Sequence, residues 1–164
     1  MAKIPKDVDT WYDKITSEKR MPGEWQTIMI GSVQKKKELR SILKEIIDDS
    51  GKKKLRPDPM DIFAFCKYTK PEHIRVVIIG QDPYPNEHAC GLCFSSLEDK
   101  QPQSFINIRK ALVKSKFLKE DSTSTDLRGW ACQGVLLINT SFSTLDGETK
   151  SHSGLWGNYF DLIL

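Results

Sequence analysis

Two short apolar runs constrain this chain more than any other feature: residues 75–80, Arg-Val-Val-Ile-Ile-Gly, and residues 134–140, Gly-Val-Leu-Leu-Ile-Asn-Thr. Neither alternates polar with apolar residues, the pattern of a strand buried on both faces of a parallel sheet. Each run finishes in polar groups. The first enters the turn Gln81-Asp82-Pro83-Tyr84, and the second closes on Asn139 and Thr140. Between them the apolar spacing predicts a helix over about 104–115, and residues 154–164 read as the start of another. Strands alternating with helices imply an α/β sheet whose ligands bind beyond the carboxyl ends of the strands. Gln81 to Tyr84 and Asn139 are therefore expected at one crevice.

Upstream, Val33, Leu39, Ile42, Leu43, Ile46 and Ile47 fall at helical spacing, and Asp48-Asp49-Ser50-Gly51 ends the run. The lysines 52–54 lead into Pro57 and Pro59, a loop, before a short helix over about 60–67. Residues 1–22 mix charges with Pro5 and Pro22 and show no sustained period. They are expected to form a loosely packed lead-in to one domain spanning 23–164. A length of 164 residues with 38% hydrophobic content supplies one modest core and not two.

Lys and Arg exceed Asp and Glu by 25 to 22, and the net charge of +3 permits an anionic partner without requiring one. Cys66, Cys90, Cys93 and Cys132 include one C-x-x-C spacing, open to a redox pair or half of a zinc site. No second close pair accompanies it, so reduced thiols and no metal are expected. No apolar run approaches the roughly 20 residues of a membrane span, and the N-terminus lacks a signal peptide's apolar stretch. A soluble intracellular protein without a membrane partner is expected, in the nucleus or the cytoplasm.

Gly80-Gln81-Asp82-Pro83-Tyr84, followed by Gly91-Leu92-Cys93-Phe94-Ser95, resembles the water-activating loop of uracil-DNA glycosylases. Further motifs keep the family's order. Pro102-Gln103-Ser104 resembles the proline-rich loop, residues 130–140 resemble the second strand, and Ser151-His152-Ser153 resembles the segment before the next helix. Trp25, the helix after it and residues 59–79 also fit, so the resemblance covers most of 22–164. It implies a three-layer fold with a twisted parallel sheet flanked by helices. It also implies a base-excision repair hydrolase that needs no cofactor, releases uracil from single- or double-stranded DNA and leaves an abasic site.

The residue types suit that chemistry. Breaking the glycosidic bond develops an oxocarbenium-like sugar and a departing uracil anion. Asp82, at a strand end behind the rigid Pro83, is the implied catalytic carboxylate, stabilising the cation and orienting the attacking water. The target base must leave the stack, and is then read by stacking and by hydrogen bonds to its edge. Phe94 supplies the stacking face. Asn139 can donate to uracil O4 and accept from N3–H, the reverse of what cytosine presents. Tyr84 resembles the family residue whose ring blocks thymine's methyl group, and Gln81 completes the substrate-binding set. Ser104 and Ser153 are implied contacts to DNA phosphates, helped by helix N-termini. The lysine runs 35–37 and 52–54 read as solvated faces or as a source of nonspecific attraction to DNA. Taken singly, Asp82 would cap a turn, Phe94 and Tyr84 would pack, and Asn139 would cap a strand end. Their joint register favours a site.

Three departures from the family pattern stand out. The residue after Tyr84, usually His, is Pro85. The loop 85–90 is one residue shorter than the common pattern and ends in Cys90 where His is frequent; His88 within it reads as a surface residue or as a partial substitute. The family chain usually continues past the position of Leu164 through two further strands, a His-Pro-Ser-Pro-type segment and a leucine-bearing loop. Losing an oxyanion-type donor costs about 10²–10³ in rate. The expectation is thus an incomplete sheet whose edge at 75–80 pairs with a protein partner or the remaining segment. The rival to turnover is a DNA-binding or scaffold protein that keeps the fold.

Overall fold

Side-chain caps start two of the first three helices along the chain. The structure, a computed structural model, describes residues 3–51 and 53–164. Asp7 caps α1 (Val8–Ile15) by accepting from the Thr10 N–H at 2.7 Å. Helix α2 (Glu24–Ile30) follows, and Ser32 then caps α3 (Val33–Asp49) by accepting from the Lys35 N–H at 3.1 Å. The rest of the chain forms β1 (Leu55–Arg56), α4 (Phe65–Tyr68), β2 (Val76–Gly80), α5 (Gln103–Lys114), α6 (Arg128–Ala131), β3 (Val135–Asn139), β4 (Thr144–Leu145) and α7 (Ser153–Ile163).

The two apolar runs are neighbouring parallel strands. β2 and β3 pair in register from Val76 opposite Val135 to Gly80 opposite Asn139. Side chains alternate along β3, as a strand demands. Leu136 and Ile138 enter a large core with Trp25, Phe63, Phe142 and Trp156, while Leu137 meets Leu92, Phe105 and Leu127 on the opposite side. The fold is therefore α/β, with β3 held between two apolar layers. Phe142 anchors the larger layer, its ring centroid 5.2 Å from Phe63 and 5.1 Å from Trp156. Each such buried side chain contributes roughly 1.5–3 kcal/mol. β1 and β4 form a separate antiparallel pair.

β2 departs from the expectation of burial on both faces: Val76, Val77 and Ile79 remain 50%, 47% and 49% exposed. Its physical reason is that β2 pairs with β3 alone among the described residues. The loosely packed lead-in expected over 1–22 is also corrected. Trp11, Tyr12 and Ile15 of α1 are buried with Met21, and the Trp11 indole donates to the Pro59 carbonyl at 3.0 Å. The apolar face Val8, Trp11, Tyr12 and Ile15 repeats over only two turns among charges, short of the longer window in which a helical period stands out. The helix expected over 60–67 shrinks to α4. Turns precede it, the Asp58 carboxylate accepting from the Met60 N–H at 3.0 Å, and residues 62–66 are all buried, which leaves no polar face. No described helix is long and apolar enough to cross a membrane.

Candidate active site

The carboxyl ends of β2 and β3 are tied to each other. The Gly80 carbonyl accepts from the Thr140 N–H at 3.0 Å, and the Gln81 carbonyl accepts from the Ser141 N–H at 3.0 Å and the Thr140 hydroxyl at 2.8 Å. Beyond them lies a cavity of about 230 Å³ lined by Gln81, Asp82, Tyr84, Phe94, Ser104 and Asn139. All of the expected site residues except Ser153 thus share one cavity. Its size falls below the roughly 300–1,000 Å³ of drug-sized sites, so it suits a small ligand.

Asn139 ends β3 almost fully buried, 8% exposed, with Gly80 directly across the ladder. A Cβ on Gly80 would lie 2.2 Å from Asn139 Oδ1, so the amide takes its position only because residue 80 has no side chain. Asp82 is half-buried, and its Oδ2 accepts from the Lys150 backbone N–H at 2.7 Å. The Gly147 N–H donates to the Pro85 carbonyl at 2.7 Å, binding the 146–150 loop to the same turn, and Thr149 of that loop joins the cavity wall.

Phe94 has a φ of +61°, a left-handed conformation that bulky residues avoid at a cost of about 1–3 kcal/mol. Such strain gathers at functional sites, and here it sits on the ring expected to stack. The Tyr84 hydroxyl donates to the Phe94 carbonyl at 3.4 Å and shares a 2.7 Å hydrogen bond with the Ser104 hydroxyl. Burial pushes the Tyr84 phenol above its ordinary pKa of 10.0, so it stays neutral at physiological pH.

His88 is not a surface residue. It is buried, its Nδ1 bonded to Ser96 Oγ at 2.8 Å and its ring edge-on to Tyr84 at 5.9 Å, so it braces the loop behind the cavity. Burial pushes the Cys90 thiol up and the Cys93 thiol up to about 12, leaving both protonated. All four cysteines are free, and among the described residues no three His, Cys, Asp or Glu side chains group as metal ligands.

Ser153 lies outside the cavity lining as the first residue of α7, its hydroxyl buried without a partner. Next to it, His152 is fully buried. Its Nδ1 shares a 2.9 Å bond with Ser143 Oγ, which also accepts from the Trp156 indole at 2.8 Å. Of the lysine runs, Lys35 donates to the Ile28 carbonyl at 2.7 Å, and Lys52 lies outside the described residues. Sequence reasoning missed Thr149 and the Lys150 N–H. A backbone donor carries no residue-type signal, so nothing in the sequence marked the second.

A family model described as the Uracil DNA glycosylase superfamily matches residues 66–162, more than half of the chain. The chain belongs to that superfamily. The matched span holds every expected site residue from Gln81 to Ser153. Among curated relatives, a uracil-DNA glycosylase of Vibrio vulnificus (strain YJ016) is 33% identical over 159 residues, covering 94% of this chain and 64% of the relative. One of Varicella-zoster virus (strain Dumas) is 37% identical over 157 residues, covering 94% of this chain and 47% of the relative. Among solved structures, mimivirus uracil-DNA glycosylase superposes with a TM-score of 0.69 at 25% identity, covering 96% of this chain and 56% of that one. A UNG from Nitratifractor salsuginis gives 0.63 at 20% identity, covering 95% and 74%, and bears on the fold alone. The chain thus spans 64% and 47% of the length of these two curated superfamily relatives.

Proposed function

We propose that this chain carries the base-reading site of a uracil-DNA glycosylase, an intracellular hydrolase of base excision repair. It cuts the N-glycosidic bond of uracil in single- or double-stranded DNA and leaves an abasic site. The observation that carries this reading is the convergence of Asp82, Tyr84, Phe94 and Asn139 on one small cavity at the strand ends. A flipped uracil stacks on Phe94 and is read by the Asn139 amide, which donates to O4 and accepts from N3–H. The neutral Tyr84 ring, braced by Ser104 and His88, excludes a methyl group at the thymine position. Gln81 forms part of the same wall.

The C1′–N1 bond breaks with its electron pair going to uracil. The sugar becomes oxocarbenium-like and is stabilised by the Asp82 carboxylate. Water attacks C1′, oriented by Asp82, which receives its proton. The Lys150 N–H on Oδ2 fixes how that carboxylate points. Ser104 and Ser153 are proposed to contact the DNA phosphates, Ser104 by exchanging its bond to Tyr84.

The test is incubation with an end-labelled strand bearing one uracil, followed by alkali, which cleaves at abasic sites. Cleavage at the uracil is expected, faster in single strands than in duplex because flipping is easiest there. No cleavage above background would overturn the reading.

A further inference from the structure

A second cavity, of about 730 Å³, lies between the N-terminal segment and the turn after α3. Its rim carries Lys3, Lys6, Lys53 and Lys54, all exposed, against one acid, Asp58. Lys53 is ion-paired with Glu148, whereas Lys3, Lys6 and Lys54 make no ion pair with another described residue. Four cations against one lining acid, three of them outside any ion pair with a described residue, form a local positive field in a chain of net charge only +3.

We propose that this groove binds the phosphate backbone of the DNA strand that flanks the uracil, an inference resting on the glycosylase reading. One loop joins the two cavities. At one end Asp146 N–H donates to the Lys54 carbonyl at 2.9 Å and Glu148 pairs with Lys53; at the other, Thr149 lines the base cavity and Lys150 N–H holds Asp82. The five residues 146–150 span at most about 17 Å when extended. That distance is roughly five nucleotides of duplex rise, so a strand with its uracil in the first cavity has phosphates within reach of the second. The groove's apolar floor, with Ile4, Ile47 and Leu55, contains no aromatic ring. Sequence-tolerant strand binding by base stacking needs such rings, so the recognised group is phosphate and not base.

The test is the salt dependence of binding, read by anisotropy of fluorescein-labelled, uracil-free single strands. The variant Lys3→Gln/Lys6→Gln/Lys53→Gln/Lys54→Gln is compared with the same four positions changed to Arg, with circular dichroism as the folding check. Loss of four phosphate contacts is expected to make the slope of log K against log salt shallower by about 2–3 units, at about 0.7 per contact, while the Arg variant keeps the wild-type slope. Lys3→Gln/Lys6→Gln/Lys54→Gln, which spares the Lys53–Glu148 pair, is expected to fall in between. An unchanged slope in the quadruple Gln variant overturns the proposal. So does tighter wild-type binding of a polyglutamate peptide than of DNA of equal charge, which would assign the groove to an acidic protein. Uracil excision is scored separately: excision with an unchanged slope removes the groove, and a shifted slope without excision removes the glycosylase reading and leaves the groove as a DNA site.

Discussion

Gly80 and Asn139 act as one unit, because the amide occupies the space a side chain at position 80 would fill. Gly80→Ala is expected to push Asn139 aside and weaken binding of a uracil strand by about tenfold or more, the loss of one buried hydrogen-bonding group. Titration of the labelled strand measures this, and unchanged affinity would mean that Asn139 does not read the base. Asn139→Asp changes the reader instead of moving it. A protonated carboxyl donates to cytosine N3 and accepts from its amino group, so this variant is expected to release cytosine as well as uracil. Asp82 is assigned to the transition state, so Asp82→Asn is expected to lower turnover by about 10²–10⁴ while strand affinity stays nearly constant. A parallel fall of both would make the carboxylate structural, its bond to Lys150 holding only the loop.

At the level of elements, α1 belongs to the core. Trp11→Ala removes a fully buried ring and its bond to Pro59, and is expected to cost about 3–5 kcal/mol in denaturant unfolding. A loss below about 1 kcal/mol would restore the picture of a loose lead-in. The start of α7 brings a pH dependence, because burial holds the His152 imidazole below its ordinary pKa of 6.5. Above pH 6.5 the ring is neutral in both folded and unfolded chains, and its contribution to stability is fully present. As pH falls below that value the unfolded chain takes up a proton the folded chain refuses, so stability declines. Tm is expected to drop across this range in wild type and to drop less in His152→Gln. Equal slopes would show that His152 stays as it is in the unfolded chain. The sequence made β3 legible because a run without polar alternation has few other uses, and α3 because Leu39, Ile42, Leu43, Ile46 and Ile47 repeat at helical spacing. It hid α1, whose apolar face spans two turns among charges, and it misread β2, since burial depends on neighbours that local pattern does not encode.

Across the whole molecule, the residues that line the strand-end cavity were legible because they stand at strand ends or in the loops beside them, where α/β sheets gather ligands. The Lys150 N–H and the buried bond of His88 were not, one being backbone and the other a contact set by packing. Exposed Val76, Val77 and Ile79 make β2 a pairing template. The 164-residue chain is expected to self-associate with rising concentration in sedimentation experiments, and Val77→Lys to suppress it; a monomer at all concentrations would mean that this edge is protected. The proposed function requires one cavity to select uracil among the bases of DNA. It is tested most directly by mass-spectrometric measurement of free base released from three strands identical except for a single uracil, cytosine or thymine. Release of uracil alone, abolished in Asp82→Asn, is the expected result, and no uracil release, or comparable release from the cytosine or thymine strand, would contradict it.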